Sequence, residues 1–285
     1  MAGASPITFV ASANCGLYCG ATVSFVDIER STGLMSIETL TFKLEQAERN
    51  GFAVLEDASH AIGGRYQGEP VGNCRFSAIT VFSFHPVKII TTGEGGLATT
   101  NDPELAQRMA ELRSHGIVRD AERFERQAAG PWVYEQQQLG FNYRITDIQA
   151  ALGLSQLQRL DEIVAERNLQ LQRYLELLAD LPLQLLKVPE GVLSSVHLAV
   201  IRLQQTTPTQ HCRVFEGLRA AGIGVQLHYT PVHLQPYYRA MGFAEGQYLQ
   251  AEIYGGSAIS LPLYPGLTDQ EQQYVAKALL KILNI

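Results

Sequence analysis

The run Ile79-Thr80-Val81-Phe82-Ser83-Phe84 leads through His85-Pro86-Val87 to Lys88-Ile89-Ile90 and then to Thr91-Thr92-Gly93-Glu94-Gly95-Gly96. Its first six residues are β-prone, too few for a helix and followed by turn residues, which is how a buried strand reads. Thr22 to Ile28 and Phe52 to Glu56 read the same way upstream, and Leu97 to Thr100 does so after the glycines. Asn101-Asp102-Pro103 then predicts a helix start, with a side-chain cap and a proline where no backbone donor is needed. That helix carries Leu105, Met109 and Leu112 on one face and stops near Gly116. Strands alternating with helices predict an α/β fold, with a mostly parallel central sheet covered by helices on both faces.

Pro131 to Gly140 is polar and irregular. Thr146-Asp147-Ile148-Gln149 has the form of a capping box, and apolar residues from Ile148 to Leu178 keep helical period. Continued to Leu181, before Pro182, this helix would be about 50 Å long and would bridge two domains. Beyond it the pattern predicts a strand (Val196 to Leu203), a helix capped by Thr207-Pro208 and a strand (Val225 to Tyr229). A last helix opens at Thr268-Asp269-Gln270-Glu271. The expected division is a large domain over 1–175, including the bridging helix, and a small α/β domain over 176–285.

With 46% hydrophobic and 18% charged residues among 285, the chain is not disordered by composition. A net charge of −6 leaves no basic footprint for nucleic acid or an acidic membrane surface. Cys15, Cys19, Cys74 and Cys212 form no CxxC pair and no metal-finger spacing, so reduced thiols and a cytoplasmic enzyme are expected. No stretch reaches the apolar length of a membrane span. The first basic residue is Arg30, so the charged start of a signal peptide is missing.

Three parts of the sequence carry chemistry. Lys88 sits in an apolar run, where desolvation lowers a lysine's pKa and makes its amine a nucleophile for a carbonyl; a snorkelling lysine at a strand end is the plainer alternative. Asp57 closes the strand Phe52 to Glu56, and ligands of parallel sheets gather at the carboxyl ends of strands. It could hold a pyridinium nitrogen protonated, or simply cap a helix. His60, three residues on, comes near Asp57 if the segment turns helically. Ser83 and the glycine-rich Thr91 to Gly96 suit phosphate contacts, though such turns are common. Together these parts describe a pyridoxal-phosphate site.

The runs Glu56-Asp57-Ala58-Ser59-His60-Ala61, Val81 to Lys88 and Thr91 to Gly96 closely resemble the sugar-nucleotide aminotransferases, which are fold-type I pyridoxal-phosphate enzymes. Arg113-Ser114-His115-Gly116, Leu139-Gly140-Phe141-Asn142-Tyr143-Arg144, Gln149-Ala150-Ala151-Leu152-Gly153 and His228-Tyr229-Thr230-Pro231-Val232-His233 extend the likeness over nearly the whole chain. Phe82 to Thr92 and Leu139 to Asp147 look most like the branch that serves pseudaminic acid synthesis. The resemblance implies that Lys88 is the Schiff-base lysine, Asp57 the partner of the pyridine nitrogen, His60 a neighbour of the ring hydroxyl and Ser83 a phosphate ligand. It further implies that Phe9 stacks on the cofactor ring and that Asn142 reaches the phosphate of a neighbouring subunit, hence a homodimer with shared sites. His228 and Tyr229 fall in the segment that lines the sugar-nucleotide pocket. The expected reaction moves an amino group, with glutamate as donor, to the C4 keto group of a nucleotide-linked 6-deoxy sugar.

Against relatives, the chain starts after a segment whose Gly-Thr-x-Ala-like helix start cups the cofactor phosphate. Near Thr41 to Asn50, little more than one short helix stands where relatives place another strand, and Ala78 replaces a usual aspartate. Two other readings therefore stand beside transamination. One is a dehydratase of the same family, in which histidine replaces the lysine that this chain keeps at Lys88. The other is a non-catalytic binding remnant.

Overall fold

The computed structural model describes residues 2–48 and 51–284, so Arg49 and Asn50, at the end of the expected gap, lie outside the described residues. In chain order the main elements are β1 (Ala2–Ala4), α1 (Ala11–Tyr18), β2 (Val23–Phe25), α2 (Ile37–Glu48), β3 (Leu55–Asp57), β4 (Ile79–Ser83), β5 (Gly96–Thr99) and α3 (Pro103–Leu112). There follow α4 (Asp147–Leu157), α5 (Leu160–Leu177), β6 (Leu183–Leu185), β7 (Ala199–Leu203), α6 (Pro208–Ala220), α7 (Leu249–Gly255), β8 (Ala258–Leu261) and α8 (Asp269–Leu283). One compact unit combines Met1–Phe52 with Glu162–Ile285, and the other is Ala53–Asp161. The sequence division after residue 175 falls inside α5.

In the unit Ala53–Asp161, β3 and β4 run parallel, with Leu55 opposite Ile79 and Asp57 opposite Val81. β5 adds antiparallel to β4 and sets Ser83 opposite Gly96. Because side chains alternate along a strand, Thr80 and Phe82 share the buried face while Asp57, Val81 and Ser83 share the other. The buried face holds a carboxylate, Glu56, satisfied by Thr80 Oγ1 at 2.9 Å and Ser77 Oγ at 3.4 Å. The α3 start is as expected: Asp102 accepts from the Glu104 and Leu105 amides, and Pro103 is the first helical residue.

The other unit has its largest core on the antiparallel sheet β6–β7–β8. Tyr174 of α5, Leu218 of α6 and Leu279 of α8 pack there with Ile201 and Ile259, all fully buried. A second cluster joins Ala4, Ala13 and Phe25, from β1, α1 and the parallel strand β2, to Val232 and Tyr238. The capping boxes at Thr146, Thr207 and Thr268 are all formed.

Two expectations are corrected. The single long helix is two, α4 and α5: at Arg159 the ladder tightens, its N–H bonding Gln156 O three residues back at 3.0 Å. Val225 to Tyr229 is not a strand, because only Gln226 makes a bridge there, to Ser260 of β8. Among the described residues no helix is long and apolar enough to cross a membrane.

Candidate active site

β4 ends at Ser83, and the next residue clasps a loop. Phe84 N–H donates to Gly95 O (2.9 Å), while Phe84 O accepts from Thr92 N (3.0 Å) and Thr91 Oγ1 (2.8 Å). Within the clasp the Lys88 amide closes a turn on His85 O at 2.9 Å, and Ile89 and Ile90 are buried as anchors. Lys88 is thus half-buried on a segment fixed at both ends. Burial lowers its pKa below the ordinary lysine value, and the Asp57 carboxylate partly opposes that shift. The two groups are within electrostatic reach.

Asp57 ends β3 and caps no helix. Its Oδ1 accepts from the Ser59 amide (3.1 Å) and hydroxyl (2.5 Å), and Ala61 N–H closes a turn on Ala58 O. His60 lies half-buried in that turn. Ser83 stands on the same sheet face as Asp57, so the structure brings Lys88, Asp57, Ser83 and His60 into one unit around the carboxyl ends of two parallel strands.

That α4 glutamines hold the glycine-rich turn was not read from the sequence. Gln156 Oε1 accepts from Thr91 N at 2.9 Å, and Gln149 Nε2 donates to Glu94 O at 3.0 Å. Both lie on α4, seven residues apart and so on one face, and Gln149 is also the residue that closes the Thr146 capping box.

Asn142 is exposed and bridges Ser114; around it His115 N bonds Phe141 O (2.8 Å) and Tyr143 N bonds Arg113 O (2.9 Å). The close approach depends on glycines. A Cβ on Gly140 would stand 2.2 Å from Gly116 N, and one on Gly116, whose φ is 70°, would stand 1.9 Å from Gln138 O. A cavity of about 530 Å³ beside Ser114 is lined by His115, Arg119, Arg123 and Arg144; Arg123 is paired with Glu111, and Arg119 lies over the Tyr134 ring. The sequence reading passed over Arg119 and Arg123, while Arg144 ends the run Leu139 to Arg144 quoted there.

Phe9, His228 and Tyr229 belong to the other unit. Phe9 is exposed, with its ring 6.3 Å from that of Tyr229, and His228 Nδ1 is 2.8 Å from Ser260 Oγ.

Residues 4–47 and 43–280 match the model of the DegT/DnrJ/EryC1/StrS aminotransferase family, in two pieces that overlap at 43–47. A UDP-4-amino-4,6-dideoxy-N-acetyl-beta-L-altrosamine transaminase of Campylobacter jejuni is 33% identical over 306 residues, covering 98% of this chain and 78% of the relative. PseC of Helicobacter pylori, an aminotransferase involved in pseudoaminic acid biosynthesis, superposes with a TM-score of 0.88 at 31% identity, over 99% of this chain and 79% of that one. A putative sugar aminotransferase of Streptococcus pneumoniae in its PMP form gives 0.89 at 28% identity, over 99% and 81%. The α/β architecture and these matches lead to one conclusion: the chain belongs to the DegT/DnrJ/EryC1/StrS aminotransferase family.

Proposed function

We propose that this chain is a pyridoxal 5'-phosphate-dependent aminotransferase that moves an amino group from glutamate to the C4 keto group of a nucleotide-linked 6-deoxy sugar. The observation that carries the reading is the Lys88 amine, kept below the ordinary lysine pKa by burial and lying in the field of Asp57 at a strand's carboxyl end. Those two groups fit the cofactor chemically: an amine with a raised neutral fraction suits its aldehyde, and a fixed carboxylate suits its ring nitrogen. When bound, the cofactor supplies an electron-withdrawing ring that acidifies the Cα–H of the amino donor.

This chain's residues then have separate tasks. Lys88 Nζ would hold the cofactor and, when free of it, would carry the proton from the donor carbon to the cofactor. Asp57 keeps the ring nitrogen protonated. His60 is assigned to the ring hydroxyl and Ser83 to the phosphate. From the resemblance, Phe9 takes the stacking role, and His228 and Tyr229 the nucleotide-sugar side.

Asn142 is assigned to a second subunit's phosphate, which requires a homodimer. The apolar surface around it supports that assignment: Leu139 is 89% exposed and Ile148 85%, with Trp132, Phe141 and Tyr143 exposed nearby in sequence.

The test is to add pyridoxal 5'-phosphate to the full chain and to Lys88→Ala, then glutamate with a UDP-linked 4-keto-6-deoxy sugar. A visible absorbance band confined to the unaltered chain, followed by release of 2-oxoglutarate, is the expected result. A band that persists in Lys88→Ala would remove the lysine from its role.

A further inference from the structure

Besides Lys88 the chain has four lysines, and one of them is unlike the rest. Lys187, Lys277 and Lys281 are exposed, whereas Lys43 of α2 is half-buried. Its Nζ donates to Ser24 Oγ at 2.5 Å and to Phe25 O, both on β2. An ammonium has three hydrogens to place, a neutral amine two. Two uncharged acceptors therefore match the neutral form and leave its lone pair unshared. Burial lowers the pKa of Lys43 as it does that of Lys88, and here no carboxylate opposes the shift. Among the described residues Lys43 makes no salt bridge.

Lys43 lines a cavity of about 640 Å³, a size that takes a small organic molecule. Every residue lining it belongs to the unit Met1–Phe52 with Glu162–Ile285, so its walls are set by packing within that unit. Three of them are aromatic. Phe25 meets Phe243 edge-on with 5.2 Å between ring centroids, and Tyr248 edge-on at 5.7 Å. The carboxylate in the lining, Asp27, is already engaged. Its Oδ1 accepts from the Ile28 amide (2.8 Å) and the Ala251 amide (2.9 Å), and its Oδ2 from the Gln250 amide (3.0 Å). Lys43 is the one basic residue there, and it has no acid to hold it charged.

We propose that this cavity is a second carbonyl site, in which Lys43 Nζ forms an imine with an uncharged aromatic aldehyde. The Nζ lone pair bonds the carbonyl carbon. Both hydrogens of the neutral amine leave with the carbonyl oxygen as water, and a C=N bond replaces the C=O bond; nothing is oxidised or reduced. The Ser24 hydroxyl, a donor as well as an acceptor, can then donate to the imine nitrogen. The aldehyde's ring packs against Phe25, Phe243 and Tyr248. A carboxylate or phosphate suits the cavity less, since the lining offers it no guanidinium and one amine that burial keeps from charging. The site shares no residue with the Lys88 site and does not rest on the aminotransferase reading.

The test uses the full chain at pH 7 with benzaldehyde or propanal, and sodium cyanoborohydride to fix each imine as a secondary amine. Peptide mass spectrometry then reads every lysine separately. Benzaldehyde is expected to label Lys43 about tenfold faster than the exposed Lys187, Lys277 and Lys281. With propanal, which brings no ring to the cavity, that advantage is expected to shrink to about a third or less. Lys43 labelled no faster than Lys187, or with the same advantage for both aldehydes, overturns the proposal. Protection of Lys43 by benzoate at a concentration where benzyl alcohol gives none assigns the cavity to an anion and overturns it as well. Lys88 is read from its own peptide in the same digest, so failure at Lys43 is distinct from failure of the cofactor lysine.

Discussion

The carboxylate of Asp57 draws the Lys88 amine toward its charged form while burial drives it toward the neutral one, and burial is the larger influence. The balance suits a lysine that must be both nucleophile and proton carrier. A neutral amine attacks, and an ammonium returns the proton.

Removing the carboxylate tips this balance in a known direction. In Asp57→Asn the charged form of Lys88 loses its support, so the pKa falls further and more amine is neutral at a given pH. At pH 8 the rate of Lys88 acetylation, followed by peptide mass spectrometry without cofactor, is expected to rise about three- to tenfold. An unchanged or slower rate would show that Asp57 does not act on Lys88.

Gln156 makes a second, mechanical prediction. Its Oε1 takes the Thr91 amide at 2.9 Å, one residue from the Phe84 clasp that fixes the Lys88 loop. Gln156→Leu keeps the helix but leaves that amide without its acceptor, at a cost of about 1–3 kcal/mol. The loop is expected to become sensitive to protease between His85 and Gly96, with a lower urea midpoint for the chain. A variant as resistant as the parent would mean the bond does not hold the loop.

The strands that carry Asp57 and Ser83 were legible because short apolar runs bounded by turn residues admit few readings. The helix starts at Asp102, Thr146, Thr207 and Thr268 were legible for a local reason: capping is decided within four residues. What escaped depends on distant partners. The apolar period from Ile148 to Leu178 runs unbroken through Arg159, yet the helix divides there, since periodicity does not register a change from a four-residue to a three-residue bond. Val225 to Tyr229 has strand composition, but a strand needs a neighbour, and only Gln226 finds one. At the site, the residue types of Lys88 and Asp57 could be read directly. Gln149 was legible only as the closing residue of the Thr146 capping box and Gln156 not at all, because a glutamine acquires a role at a loop only from the loop it reaches.

Gly140 offers a steric test of how the Asn142 segment is held. In Gly140→Ala the new methyl would meet Gly116 N at 2.2 Å and Leu112 O at 2.8 Å, both backbone atoms that cannot turn aside. The expected cost is about 1–3 kcal/mol, seen as a lower melting temperature, with loss of exchange protection at the His115 and Tyr143 amides. Gly224→Ala is the control: no atom lies within 4 Å of its Cβ, and the change should stay within about 0.5 kcal/mol. Equal melting temperatures for the two variants would remove the close approach from the account.

The last prediction concerns acid. Glu252 is bonded by His233 Nε2 at 2.9 Å, by Gly246 N at 3.0 Å and by Tyr248 N at 3.2 Å, and His233 is wholly buried. Burial by itself would raise the carboxyl's pKa, but these donors together outweigh it and hold the group below the usual glutamate value. A carboxylate depressed on folding stabilises the folded chain above its unfolded pKa of about 4.3, and the benefit is lost as pH falls through the folded-state value. Glu252→Gln keeps the size of the side chain but gives up the charge that strengthens each bond. At pH 7 it is expected to be less stable by about 1–3 kcal/mol in urea unfolding, and the gap should narrow from about pH 4 downward as the parent's carboxylate protonates. A gap that stays constant between pH 7 and pH 3.5, or widens in acid, would show that the charge on Glu252 does not stabilise this fold.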